Sequence, residues 1–360
     1  MDFSLGEEQR MLQDSVSRLL ESECPLETVR QLAESGQNHA TDVQQQLTEL
    51  GISGILVPED YGGVGLGFME AALVAESLGG AVAPVPFVGA AVMAPIALLA
   101  AGSDKQKEKW LPQIALGKTL FGVGVTEQIS NRENSGIEVT KNGLQGSAMF
   151  VLDGMSADMF IIADQKGNFH LIDGQANGLS RQRLKTIDRT RSVAEVTFDG
   201  VGSEILPGSN REALLLTIDA GRLVLAADSL GAAQTMLDKS IAYAKERRQF
   251  NRVIGSFQAV KHMCSEMAAE LEPCRSLLWY AAHAAVEIPD EARMMACHTK
   301  AHLSEVSQFV ARTATEVHGG MGFTDLLGLH YWFKRIGFNR QLLGAPELVR
   351  EEAAIAQGWV

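Results

Sequence analysis

Apolar residues recur at helical spacing in the first and last parts of the chain but not in its middle. Near the N-terminus Leu12, Val16 and Leu19 would share one face of a helix, because residues three or four positions apart lie together on a helix surface. The same spacing continues for roughly eight to nine turns through Leu214 to Ala244. We therefore predict helical domains at both ends of the chain.

The middle part of the chain replaces this spacing with short runs of β-branched and aromatic residues. Turn sequences such as Lys141-Asn-Gly and Asp173-Gly separate the runs. The predicted strands are Phe121–Thr126, Leu144–Leu152, Met159–Ala163, Phe169–Ile172 and Val193–Phe198. This pattern predicts a small β domain of roughly five to seven strands, which is too short and too rich in turns for a Rossmann unit.

The chain is therefore predicted to be a multidomain α+β protein with three parts. An N-terminal α-helical domain covers residues 1–115, a β-barrel or β-sandwich domain covers 116–212, and a C-terminal four-helix bundle covers 213–360. Long helices with short joints favour a bundle, and Phe257–Val286 and Ala292–Thr315 supply two of its helices. The terminal segment is expected to supply the remaining helix.

The composition is that of an ordinary globular protein, with 46% hydrophobic and 21% charged residues in a chain of 360. The net charge of -13 argues against binding nucleic acid or an anionic membrane through bulk electrostatics. An anionic cofactor would therefore need a local cationic site. The four cysteines show no metal-ligand spacing, so we predict no metal site and a reducing compartment.

No part of the sequence is predicted to act as a secretory signal or to cross a membrane. The N-terminus is acidic and lacks the uninterrupted apolar segment of a signal peptide. The apolar run from Val82 to Ala101 contains Pro84, Pro86 and Pro95, which favour a buried segment over a membrane span. We therefore expect a cytoplasmic protein.

The sequence Lys245-Glu-Arg-Arg-Gln-Phe-Asn-Arg joins two predicted helices and concentrates cations beside an aromatic residue. An arginine can bind a pyrophosphate through two parallel hydrogen bonds, and the ring of Phe250 could lie against a heterocycle. A helix–loop–helix joint with solvated arginines is the alternative. The composition of the stretch does not separate the two.

Three motifs, together with the order helical, β, helical, make the chain resemble the acyl-CoA dehydrogenase family along essentially its whole length. Lys245-Glu-Arg-Arg-Gln-Phe-Asn, followed by Ile254-Gly-Ser-Phe-Gln-Ala-Val, is similar to the family's Arg-x-x-Phe-Gly and Phe-Gln-Ala segments. Glu316-Val-His-Gly-Gly-Met-Gly is similar to its Gln-x-x-Gly-Gly-x-Gly loop. Val123-Gly-Val-Thr-Glu matches the strand that the family places against its flavin.

This resemblance implies an FAD cofactor that lies between two subunits. Arg247 would contact the pyrophosphate of an FAD held mainly by the neighbouring subunit, and the glycines at 319 and 320 would let backbone N–H groups approach it. Thr126 would bond the isoalloxazine, with Phe150 packed on it. The residues that the resemblance assigns to FAD are Arg247, Gln249, Phe250, Gln258, Glu316, Gly319, Gly320, Val125, Thr126 and Phe150.

The family reaction removes an α-proton from an acyl-CoA thioester while a β-hydride passes to the flavin, so it needs a carboxylate base. Most members carry a glutamate directly before a glycine in the last helical region, where this chain has Leu343. Other members place it just before an arginine in the first bundle helix, where this chain has Gly221. Both positions lack a carboxylate, so the catalytic base is unknown. Asp228, Asp219 and Glu347 are the remaining candidates.

Other departures from the family pattern occur near the expected cofactor. The family's Thr-Glu-Pro-x-Ala-Gly-Ser-Asp is replaced by a segment that begins Thr126-Glu-Gln-Ile-Ser and continues to residue 134. Asn251 replaces the glycine after Phe250, and Glu316 replaces the usual glutamine. A carboxylate at position 316 is poorly matched to phosphate oxygens.

We interpret the chain as one subunit of a heteromeric acyl-CoA dehydrogenase. It resembles the α2β2 enzymes of bacterial steroid side-chain or dicarboxylate degradation, in which a homologous partner would supply the base. Acyl-CoA would be the substrate and an electron-transferring flavoprotein the acceptor. Two alternatives stay open, namely an autonomous homotetramer with a relocated carboxylate and a non-catalytic acyl-CoA-binding scaffold.

Overall fold

The N-terminal part of the protein is helical, as the apolar spacing predicts. A computed structural model describes residues 4–130 and 135–360. The α-helices of the first part are α1 (Glu7–Glu23), α2 (Leu26–Ser35), α3 (Thr41–Glu49), α4 (Phe68–Gly80), α5 (Ala94–Ala101) and α6 (Asp104–Ala115). A π-helical turn at Val88–Met93 precedes α5, and all six of its residues are buried. The proline-containing apolar run therefore lies in the interior.

The middle part forms a mixed sheet of eight strands within the described residues. The strands are β1 (Phe121–Gly124), β2 (Gly136–Thr140), β3 (Gly143–Leu152), β4 (Met159–Ala163), β5 (Phe169–Asp173), β6 (Leu179–Arg183), β7 (Val193–Val201) and β8 (Glu204–Ile205). Their order is β6-β7-β3-β1-β4-β5-β8, with β2 paired to β3, and β1 and β4 run parallel. The prediction missed β2, β6 and β8, which carry few buried apolar residues.

Strand β4 is buried on both faces of the sheet. Phe160 and Ile162 belong to a core that lies within the β domain, whereas Ile161 between them belongs to the main core shared with the helices. Successive side chains of a strand point to opposite faces. One face of the sheet therefore encloses its own core, and the other packs against the helical parts of the molecule.

The C-terminal part is a helix bundle, with one more helix than predicted. Its helices are α7 (Arg211–Glu246), α8 (Gln258–Glu287), α9 (Pro289–His318), α10 (Leu329–Gln341) and α11 (Pro346–Ala356). The terminal segment breaks into α10 and α11 because Leu343 adopts a left-handed backbone conformation with φ 58° and Pro346 starts a new helix. This break positions the site described below.

Helices α4 and α7 approach each other closely through two glycines. A Cβ on Gly79 would lie 1.9 Å from the carbonyl oxygen of Asp228, and a Cβ on Gly231 would lie 1.8 Å from that of Glu76. These distances are far below any van der Waals contact. The two helices can therefore pack at this separation only with glycine at both positions.

We expect Gly231→Ala to lower the free energy of unfolding by about 1–3 kcal/mol, because the added methyl group forces the two backbones apart. Chemical denaturation of the purified variant measures this change. Gly337→Ala in α10 is the matched control, since its Cβ would meet only the Ile187 side chain at 3.4 Å. An unchanged stability of the Gly231 variant would contradict the close-packing account.

Candidate active site

The joint between α7 and α8 is a β-hairpin rather than an irregular loop. Strands β9 (Arg248–Gln249) and β10 (Arg252–Val253) pair antiparallel across the two-residue turn Phe250-Asn251. Both turn residues have positive φ, 51° for Phe250 and 62° for Asn251. Such a turn needs the left-handed conformation twice, and asparagine tolerates it better than any other non-glycine residue. Asn251 therefore preserves the backbone shape that the family's glycine would allow.

The hairpin presents an aromatic ring and a cation to the surface of the chain. The Phe250 side chain is 85% exposed. Its backbone φ of 51° is strained for phenylalanine. The Arg247 guanidinium is exposed and makes no hydrogen bond or ion pair with any residue that the structure describes. Arg252, by contrast, lies 3.9 Å from the centre of the Phe257 ring. Gln258 begins α8 and its amide donates to His262 at 2.9 Å.

The glycine loop at the end of α9 is equally open. Gly319 has φ 58° and ψ -141°, a conformation that L side chains rarely adopt. A Cβ on Gly319 or on Gly320 would meet no atom within 4 Å, so the space above this backbone is empty of protein atoms. Glu316 lies exposed in the last turn of the helix. Such an open backbone can be approached closely by a ligand.

The ends of α7 and α9 lie side by side. The rings of Tyr243 and His318 stack there with their centres 4.5 Å apart. Arg247 follows Tyr243 by one helical turn, and Gly319 directly follows His318. We call the residues Arg247, Gln249, Phe250, Gln258, Glu316, Gly319 and Gly320 the outer half-site.

A separate cavity of about 550 Å³ lies between the β domain and the α10–α11 break. Its lining residues are Thr126, Glu127, Ile129, Ser130, Ser135, Met149, Phe150, Phe338, Gln341, Leu342, Leu343, Gly344, Ala345 and Leu348. Phe150 has a left-handed φ of 52° at an irregularity in β3, and its ring centre lies 6.5 Å from that of Phe338. Val125 is buried directly before Thr126. Residues 131–134 of the altered Thr-Glu segment lie outside the described part of the chain.

The two positions at which the family carries its base converge in space. A Cβ on Gly221 would lie 2.5 Å from Cδ1 of Leu343 and 2.7 Å from Sδ of Met93. The resemblance assigned Gly221 and Leu343 from different motifs, far apart in the sequence. They meet at one point of the fold, and the groups that meet there are apolar.

Two buried basic side chains hold the backbone of this point. The Arg222 Nε donates to the carbonyl oxygen of Leu343 at 2.9 Å, and the Lys300 Nζ donates to that of Gly344 at 3.2 Å. Burial, and to a lesser extent Arg222, lowers the pKa of Lys300 to about 7. The α10–α11 break is therefore fixed from the bundle side. The motif that placed Gly221 includes Arg222 but gave it no role, and no motif marks Lys300.

Asp228 is not placed to act as a base. It is 2% exposed and accepts hydrogen bonds from Arg335 at 2.7 Å and from Asn339 at 2.6 Å, with Arg191 at 3.1 Å. Burial raises the pKa of Asp228, but the two arginines and the amide outweigh it and leave the pKa below its ordinary value. Asp228 does not line the cavity. The structure thus gives this residue a structural role instead of the catalytic one considered above.

The other candidate carboxylates are also bound by arginines. Asp219 accepts from Arg293 at 2.7 Å and from Arg222 at 3.2 Å, and burial raises its pKa despite these partners. It lines a second cavity of about 590 Å³. Glu347 is exposed and accepts from Arg340 at 3.0 Å.

Glu127 is a buried residue of the cavity wall that the sequence argument passed over. Its Oε1 accepts from the backbone N–H of Met149 at 2.7 Å and so ties the Val-Thr-Glu segment to β3. The motif already contained this glutamate, but its spacing gave no sign of where the side chain points.

Neither a membrane-spanning helix nor a metal centre is found in the parts of the chain that the structure describes. No helix there is long and apolar enough to cross a bilayer. Among the same residues, no group of three or more histidine, cysteine, aspartate or glutamate side chains could hold a metal ion.

Comparison with known proteins places the chain in a family. The model of the acyl-CoA dehydrogenase N-terminal domain matches residues 6–118, and that of the C-terminal domain matches residues 212–357. The acyl-CoA dehydrogenase IpdE2 of Mycolicibacterium smegmatis is 30% identical over 98% of this chain and 100% of that protein.

Two solved structures share the fold over nearly their whole length. The ChsE4–ChsE5 complex from Mycobacterium tuberculosis aligns over 100% of both chains with a TM-score of 0.91 and 25% identity. A variant of the Tcur3481–Tcur3483 steroid ACAD aligns over 99% of both chains with a TM-score of 0.89 and 27% identity. The chain belongs to the acyl-CoA dehydrogenase family of oxidoreductases, and its cofactor is FAD.

Proposed function

We propose that this chain is the subunit of a heteromeric acyl-CoA dehydrogenase that completes an FAD site without supplying the catalytic base. The observation that carries the proposal is the contact between Gly221 and Leu343, where a Cβ on the glycine would lie 2.5 Å from the leucine side chain. A carboxylate at either position would point to the same spot. Because both positions are apolar, neither of them can accept an α-proton.

The outer half-site is the part of the chain that fits a shared cofactor. Arg247 is a cation with no hydrogen-bond or ion-pair partner in residues 4–130 and 135–360, and Gly319 and Gly320 leave their backbone open on the same side of the bundle. An arginine fork and a glycine backbone that a ligand can approach closely suit a pyrophosphate, although the Gly319 N–H itself donates to the carbonyl oxygen of Glu316. Phe250 would cover an adjoining part of the cofactor. Bound FAD supplies the acceptor for the hydride that leaves the β-carbon of the acyl group.

The partner would be a homologous subunit that keeps the family glutamate. Two of the solved relatives are named as pairs of chains, ChsE4–ChsE5 and Tcur3481–Tcur3483, and the second is named a steroid ACAD. These names support an α2β2 assembly that acts on a bulky acyl-CoA, such as a steroid side-chain thioester. An electron-transferring flavoprotein would reoxidise the flavin, in the cytoplasm.

Purification of the chain from its native host tests this assembly. We expect native mass spectrometry to show two chains of each kind, with a visible flavin spectrum in the intact complex. A flavin-bound homotetramer would contradict the proposal. A preparation without flavin absorption, even with the partner present, would instead favour an acyl-CoA-binding scaffold.

Among the three carboxylates considered as bases, Asp219 is the one that favours an autonomous enzyme. It lies two residues before Gly221, lines a cavity, and has a pKa raised by burial. If it were the base, Asp219→Asn would abolish turnover and leave the flavin spectrum intact. We expect instead that the substitution acts on stability, because Arg222 and Arg293 lose one of the two carboxylates that they share and keep only Glu352.

A further inference from the structure

A pair of stacked rings joins the two parts of the outer half-site, namely Arg247 at the end of α7 and the glycine loop at the end of α9. Tyr243 lies one turn before Arg247 in α7, and its carbonyl oxygen accepts from the Arg247 backbone N–H at 2.8 Å. His318 is the last residue of α9, directly before Gly319. The two ring centres are 4.5 Å apart and the ring planes are inclined by 28°. The stack therefore links the helix end that leads to Arg247 with the helix end that leads to the glycine loop.

The ring of His318 is fixed in one orientation. It is 5% exposed, and its Nδ1 lies 2.7 Å from the carbonyl oxygen of Ala314. A carbonyl can only accept, so Nδ1 carries the hydrogen. Burial, and the nearby Lys239 cation, lower the pKa of His318 although the bond to Ala314 raises it. The ring is therefore neutral at pH 7, and a neutral ring stacks on Tyr243 without a buried charge.

The glycine loop rests on the same histidine. The turn Gly319–Phe323 follows α9 directly, and a Cβ on Gly322 would lie 3.1 Å from the Cβ of His318. The backbone of the loop is thus packed against the base of the imidazole side chain. The Cβ of His318 therefore packs against the glycine loop, and its ring packs against Tyr243 of α7.

We propose that Tyr243 and His318 are positioning residues that hold Arg247 and Gly319–Gly320 at the separation needed to bind the pyrophosphate of FAD together. This inference rests on the proposed function, because it assumes that the outer half-site binds FAD. Neither ring is assigned a contact with the cofactor. Without the stack, Arg247 and the glycine loop would each have to become ordered when FAD binds. The free-energy cost of that ordering would lower the affinity for FAD.

To test this, the flavin is removed from the assembled enzyme and FAD is added back. Flavin fluorescence during the addition then gives the Kd for FAD. We expect His318→Ala to raise the Kd for FAD about tenfold, which is the upper end of the effect expected from losing one aromatic pair interaction. His318→Phe keeps a ring against Tyr243 and should restore most of the affinity. His330→Ala removes the histidine of a second His–Tyr pair, with Tyr331 at 4.2 Å, and should leave the Kd unchanged.

A purely structural role would lower the unfolding midpoint of the FAD-free complex in the alanine variant and leave the Kd unchanged. That result, or a phenylalanine variant as weak as the alanine variant, would overturn the inference. If the alanine variant does not assemble, His318→Gln removes the ring but keeps a polar side chain, and wild-type affinity in that variant overturns the inference too. Arg247→Ala distinguishes a failure of this inference from a failure of the proposed function. An unchanged Kd for FAD in that variant would show that the outer half-site does not bind FAD.

Discussion

Asp228→Ala is expected to lower the free energy of unfolding by about 3–5 kcal/mol, because it leaves the buried Arg335 and Arg191 without their shared carboxylate. The side chains of these two arginines are 2% and 6% exposed, so water cannot replace the lost partner. Arg335 also donates to the Thr190 hydroxyl at 2.9 Å, which links α10 to the segment before β7. The loss should therefore loosen the β domain from the bundle.

Chemical denaturation of the FAD-free protein measures this effect. Asp238→Ala is the matched control on the same helix, since Asp238 is exposed and, within the part of the chain that the structure describes, accepts only from Gln234. We expect no change above about 0.5 kcal/mol for the control. Full stability of the Asp228 variant, combined with loss of turnover in the assembled enzyme, would return this aspartate to the list of possible bases.

Arg247→Ala is expected to raise the Kd for FAD in the assembled enzyme by about 10- to 100-fold, the effect of losing one charge-assisted contact to a phosphate. The unfolding midpoint of the FAD-free complex should not change, because the exposed Arg247 guanidinium makes no hydrogen bond or ion pair within the described chain. Flavin fluorescence during reconstitution measures the affinity. Arg247→Lys keeps the charge but not the fork, so it should recover only part of the loss.

Arg248→Ala provides the control for Arg247. Arg248 is the adjacent exposed arginine in the hairpin, and the family resemblance gives it no role at the cofactor. We expect its Kd for FAD to stay near the wild-type value. An equal loss of FAD affinity in the two variants would mean that the hairpin acts only through its total charge. The proposed contact between the Arg247 fork and the pyrophosphate would then be wrong.

The parts of the fold predicted from the sequence are those with long or strongly periodic apolar patterns. The first bundle helix, predicted as Leu214 to Ala244, is observed as Arg211–Glu246, because an extended apolar face leaves little choice of structure. Strand β6, Leu179–Arg183, was missed because every side chain after Leu179 is polar and none is fully buried. Its place in the sheet comes from backbone pairing with β7, which leaves no pattern in the side chains.

Tertiary contacts limit what the sequence reveals about the site. The motifs pointed separately to Leu343 and Gly221, but only the fold brings them into contact. The hairpin at Phe250 was predicted as a loop, since phenylalanine at positive φ is against its own preference. The stack of Tyr243 on His318 has no sequence signal at all, because it depends on how the ends of α7 and α9 cross.

The central claim is that this chain completes an FAD site while another chain removes the proton. Acyl-CoA oxidation should therefore be measured for the chain alone, for the assembled complex, and for a complex in which the partner's base-position glutamate is replaced by glutamine. We predict turnover only in the unmodified complex, with the flavin spectrum retained in the glutamine variant. Turnover by the chain alone, or substantial turnover remaining in the variant complex, would contradict the account.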